Sequence, residues 1–151
     1  MTPTASAPDP RVLLTLPRVF VDRSLGALQV PAGLRNAGVD VITMREHYGE
    51  RAGQEVLDPD WIGLIAQHGW IGFHKDAAIH RNDIEKDAVI QHRARLFCVP
   101  RADLRADQLT QRYLTNLANI AAAAQQPGPF IYGVYPNEIR RLPLRWSGRG
   151  G

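Results

Sequence analysis

Two carboxylates stand where apolar runs end. Val19-Phe20-Val21 leads directly into Asp22, and Trp70-Ile71-Gly72-Phe73 leads through His74-Lys75 into Asp76. Short runs of this composition read as strands buried on both faces, as in a parallel sheet. Ligands of such sheets collect at the carboxyl edge, where each strand releases the chain. Asp22 and Asp76 would therefore share one edge. Asp60, on the segment that leads into the second run, and Glu46, after the intervening strand, are candidates to join them. Oxygen donors of this kind suit a hard cation such as Mg²⁺ or Mn²⁺. An ion held there would clamp a scissile phosphate and activate water near neutral pH, which is the chemistry of phosphodiester hydrolysis. Arg23, Lys75 and Arg81 flank the acids and would meet substrate phosphates. Solvation at the surface accounts for those three cations equally well.

Each acid also has a structural account. Asp22 could end a strand and hydrogen-bond the turn behind it. Asp58 reads as the cap of a helix whose first position is Pro59. Asp60 in the first turn of that helix complements the positive end of the dipole. Nothing structural requires all of these acids at one edge, so the set says more than any member. The histidines have neither cysteine partners nor an HExxH spacing, which disfavours zinc. The glycines form neither a dinucleotide fingerprint nor a phosphate-binding loop.

The elements that must place these residues follow in order. Val19–Asp22 is the first strand, Val30–Ala37 a helix ended by Gly38, and Val39–Met44 a second strand. Arg45–Glu55 reads as a polar loop. A helix from Asp58 carries Trp61, Ile62, Leu64 and Ile65 on its apolar face and stops at Gly69. Strands at 70–73, 94–99 and 130–135 alternate with helices at 83–92 and 106–125. Residues 139–144 would return as an antiparallel edge. The alternation predicts a three-layer α/β domain.

The 151 residues suit a single domain, with a flexible segment at 1–17, the domain at 18–145 and a flexible tail at 146–151. No apolar run approaches the ~20 residues a membrane helix needs, and residues 1–10 do not form a signal peptide. A single cysteine, Cys98, cannot close an internal disulfide, so the expected compartment is the cytoplasm. The net charge of +3 comes almost wholly from arginine. The run Arg140, Arg141, Arg145, Arg149 hints at phosphate binding.

In order, the segments FVDRSLG, DVITMREHYG, LDPDWIGLIAQHGWIGFHKDAAIH, RLFCVPRADL and QPGPFIYGVY resemble PIN-like domains, in particular the compact bacterial branch that includes VapC-type toxins of toxin–antitoxin modules. The resemblance spans about residues 19–144. It implies a three-layer α/β/α fold with a mainly parallel sheet and a metal-dependent endoribonuclease activity using Mg²⁺ or Mn²⁺. It places the family's first metal-binding Asp on Asp22, the helix-start acid on Asp60 and the post-strand Asp on Asp76. Asp83 and Glu85 are candidates for a further acid, and with three carboxylates one tightly held ion is expected. RNA as substrate, an antitoxin protein that blocks the acidic cleft and a homodimer are the implied partners. The rival reading is a PIN-like binding protein that kept the fold, lost catalysis and acts within a complex.

Overall fold

Strands form where the apolar runs predict them. The computed structural model describes residues 7–75, 83–100 and 103–146. Its sheet comprises β1 (Val19–Val21), β2 (Val41–Thr43), β3 (Ile71–Lys75), β4 (Arg95–Val99), β5 (Phe130–Val134) and β6 (Ile139–Arg141). The order is β2-β1-β3-β4-β5-β6, parallel throughout except for the antiparallel last strand. Val21 lies beside both Thr43 and Phe73, so the ends of β1, β2 and β3 reach one edge together.

Strand side chains alternate between two cores. Val19, Val21, Ile71, Phe73, Phe97 and Val99 face the layer built by α2 (Gln29–Asn36), α7 (Ala106–Thr115) and α8 (Leu117–Ala124). Phe20, Leu96 and Cys98 face α5 (Asp58–His68) and α6 (Asp83–His92). Trp61 anchors that second layer, fully buried and stacked on Phe20 at 5.6 Å between ring centres. Gly69, left-handed at φ 71°, stops α5 and turns the chain into β3.

Three expectations need correction. Arg45–Glu55 is not a loop: α3 (Met44–Tyr48) and α4 (Glu50–Glu55) occupy it. The helix expected at 106–125 breaks at Asn116, whose buried amide donates to the carbonyls of Arg112 and Tyr135. The expected flexible segment 1–17 contains a helix, α1 (Pro10–Thr15), capped by Asp9 and packed against α8.

Candidate active site

Asp22 follows β1 with the parity of Phe20, so its side chain turns toward α5 and α6. It is buried, 6% exposed. Its backbone N–H still pairs with the Phe73 carbonyl at 3.0 Å, which holds it at the β1–β3 junction. One carboxylate oxygen, Oδ2, accepts the Ser24 N–H at 3.3 Å, while Oδ1 is buried with no hydrogen-bond partner among the described residues. Ser24 ties the same junction together, since its hydroxyl oxygen accepts the Lys75 N–H at 3.0 Å. Burial raises the Asp22 carboxyl above the ordinary carboxylate range, the Ser24 hydrogen bond opposes that, and the charge of Asp58 adds to it.

Asp58 is therefore a member of the site, and this overturns its reading as a helix cap. The N-cap of α5 is Leu57, with no side-chain cap bond, and Asp58 is the first helical residue. Its Oδ1 accepts the indole N–H of Trp61 at 2.8 Å, so the residue that anchors the helix also orients the acid. Glu85, in the first turn of α6, meets it from the other side. Burial, then the hydrogen bond and charge of Asp58, then the charge of Asp22 push the Glu85 carboxyl up to about 8. Protonated Glu85 donates to Asp58 and relieves the repulsion among three acids.

Asp60 does not join them. Two residues along an α-helix is a rotation of about 200°, so with Asp58 facing Asp22, Asp60 points away. It is exposed and lines a cavity of about 720 Å³ on the outer side of α5, with Tyr48, Gly63 and His92. There its charge adds to the effect of burial in raising the Tyr48 hydroxyl.

Glu46 is also committed elsewhere. It forms a reciprocal capping box with Thr43 at the start of α3 and an ion pair with Arg35, which holds its carboxyl below the usual range. Arg23 points away from a phosphate role as well: its Nη1 donates to the carbonyls of Gly53 and Gln54, at 3.0 and 2.9 Å, and so clamps the end of α4. Lys75 ends β3 beside Ser24. Asp76 and Arg81 lie outside the described residues.

The cluster offers oxygen donors only, one of them a buried atom with no partner among the described residues, which fits a hard cation. Among the described residues, no group of three or more His, Cys, Asp or Glu is arranged to hold an ion unaided. Sequence reasoning passed over Ser24, preferred Asp60 to Asp58 and left Glu85 one of two candidates. The stripe Asp58, Trp61, Ile62, Ile65 carried the missing signal, because it places Asp58 on the inward face. Glu85 with Ala88 and Val89 repeats the pattern on α6.

The "PIN like domain" family profile matches residues 17–101, which is more than half of the chain. The chain belongs to the PIN-like domain family. A protein of Mycobacterium tuberculosis named "Putative ribonuclease VapC45" is 57% identical to this PIN-like domain over 135 residues, covering 89% of the chain and 98% of the relative. The matched span begins before β1 and ends after β4, so it contains Asp22, Asp58 and Glu85. No solved structure matches the PIN-like domain.

Proposed function

We propose that this PIN-like domain is a divalent-metal-dependent endoribonuclease, the toxin of a toxin–antitoxin module, working with Mg²⁺ or Mn²⁺ in the cytoplasm. The observation that carries the reading is the buried Asp22 carboxylate beside Asp58 and Glu85 at the carboxyl edge of a parallel sheet, its Oδ1 without a hydrogen-bond partner among the described residues. Family membership and the name of the Mycobacterium tuberculosis relative support the same chemistry. No helix among the described residues is long and apolar enough to cross a membrane.

Asp22 and Asp58 would hold the ion, with Asp76 retained on the family resemblance and Glu85 as the further acid. A bound divalent ion supplies charge stabilisation at phosphorus and a nucleophile drawn from water near neutral pH. The protein's own part is positional. Ser24 fixes the Asp22 carboxylate, Trp61 fixes Asp58, and Glu85 holds a proton that it releases when the neighbouring charge is neutralised. An antitoxin segment would block the acids, an Arg among them being the natural complement. A homodimer is proposed on the resemblance alone.

The test is cleavage of a structured RNA by the purified chain. Degradation should need Mg²⁺ or Mn²⁺, stop in EDTA and vanish in Asp22→Asn without loss of the folded state. Cleavage undiminished by EDTA would overturn the metal mechanism.

A further inference from the structure

Beyond the acids, the carboxyl edge of the sheet continues to the ends of β4 and β5. A cavity of about 590 Å³ opens there, walled by Pro100, Leu104, Arg112 and Tyr135. Three strand spacings separate β5 from β1, or roughly 14 Å. Asp103 also lines the cavity but is exposed, where solvent screens its charge.

The two sides of this cavity differ in chemistry. Arg112 comes from α7, half-buried, and its Nη1 donates to the Val134 carbonyl at 3.4 Å. A guanidinium carries five N–H donors, and no carboxylate pairs with this one among the described residues. Tyr135 is fixed by its backbone, through its N–H to the Glu138 carbonyl at 2.8 Å and its own carbonyl to the Asn116 amide at 2.7 Å. Its ring folds back over Gly133, where a Cβ would come within 2.9 Å of the ring. The Arg140 guanidinium lies over the same ring at 4.7 Å, steadied by Glu138, which accepts from its Nε at 2.7 Å. Tyr135, its ring backed by the Arg140 guanidinium, thus lines the cavity together with an arginine that has donors to spare. Arg141, the next residue of the basic run, turns instead to the Pro129 carbonyl at the opposite end of β5.

Arginine donors suit a phosphate, and aromatic or guanidinium planes stack an unpaired base. We propose that this cavity is a nucleotide subsite for single-stranded RNA, in which Arg112 holds a backbone phosphate and Tyr135, backed by Arg140, stacks a base of the strand whose scissile phosphate sits at Asp22 and Asp58. The subsite rests on the ribonuclease reading and extends it. It lies a few nucleotides along the chain from the cut, so it would set which single-stranded segments are engaged.

The test titrates end-labelled single-stranded RNA with the full chain in EDTA, followed by fluorescence anisotropy at several salt concentrations. Arg112→Gln should weaken binding about tenfold and lower the salt slope by about one phosphate contact. Tyr135→Leu should also weaken it about tenfold, while Tyr135→Phe, which keeps the stacking face, should bind like wild type. Melting curves check that each variant is folded. Cleavage of a dinucleotide with Mn²⁺, too short to reach the cavity, should be equal in all four proteins. If wild type cleaves RNA and both Arg112→Gln and Tyr135→Leu bind the long RNA as it does, the subsite is wrong and the ribonuclease reading stands. If wild type neither binds nor cleaves any RNA, the ribonuclease reading falls and takes the subsite with it.

Discussion

Asp58 and Asp60 sit two positions apart on one helix, and their side chains leave it on nearly opposite sides. Asp58 accepts the Trp61 indole N–H and faces Glu85, whereas Asp60 is exposed beside Tyr48. Asp58→Asn should therefore cut RNA cleavage by at least tenfold and shrink the Mn²⁺-induced rise in melting temperature, because a weaker ligand set stabilises the native state less. Asp60→Asn should leave both near wild type. The reverse result would return Asp60 to the site and expel Asp58. Glu85 gives a second expectation, in the pH dependence. Its folded carboxyl lies at about 8 against an ordinary 4.5, so the native metal-free protein binds more protons than the unfolded chain across that window. Stability then falls as pH rises from 4.5 toward 8, and Asp22, shifted in the same direction, adds to the fall. Glu85→Gln should flatten the slope in thermal melts without metal. The Mn²⁺ shift should grow over the same window, since an ion needs the acids ionised. A melting temperature that rises toward pH 8 without metal would contradict the cluster.

At the scale of elements, β1 to β5 were legible because each is built on a short apolar run, and their parallel pairing followed from the helices between them. α3 and α4 were not legible. Both are short and lack an apolar stripe; the Thr43–Glu46 capping box was a local signal hidden by reading Val39–Met44 as a strand, while the Arg23 bonds to Gly53 and Gln54 hold α4 by tertiary contact. The break at Asn116 escaped notice for a similar reason, since the stripe from Leu109 to Ala124 keeps its period while a buried amide reaches across to Tyr135. The placement of the acids was legible at Asp22, where a strand simply ends. It was misread on α5, because the punctuation Asp58-Pro59 fits a cap as well as a ligand. The packing of α5 on β3 is open to direct test at Gly72. A Cβ there would come within 2.7 Å of Leu96 and 3.0 Å of Ile65 and Trp61. Gly72→Ala should cost about 1–3 kcal/mol by chemical denaturation, the usual penalty for overpacking. Because Trp61 orients Asp58, the variant should also lose part of its Mn²⁺ shift. Unchanged stability would mean that α5 moves off the sheet more easily than its packing indicates.

Across the whole molecule, the two edges of the sheet carry different duties, and α1 makes that separable. The helix precedes β1, so it lies toward the amino edge, whereas Asp22 follows β1 at the carboxyl edge. Asp9 caps it by accepting the Arg11 N–H, Val12 and Leu13 pack on the core layer of α2 and α8, and the Gln125 side chain donates to the Thr15 carbonyl. Leu13 fits against Gly38, where a Cβ would come within 2.9 Å of it, while Leu14 is 86% exposed. Removing residues 1–8 leaves Asp9 as the cap and should not change stability. Removing residues 1–16 strips three partly buried aliphatic side chains, Val12, Leu13 and Leu16, from the core, each worth less than the 1.5–3 kcal/mol of full burial, so about 3 kcal/mol in all. None of the carboxylates loses a contact by that deletion, so the rise in melting temperature on adding Mn²⁺ should match that of the full chain, measured from a lower starting point. Denaturant titration and metal-shift melting on both truncated chains check the two halves of the expectation. If the longer deletion abolishes the Mn²⁺ shift while the protein remains folded, the amino edge is coupled to the acids and the division of duties is wrong.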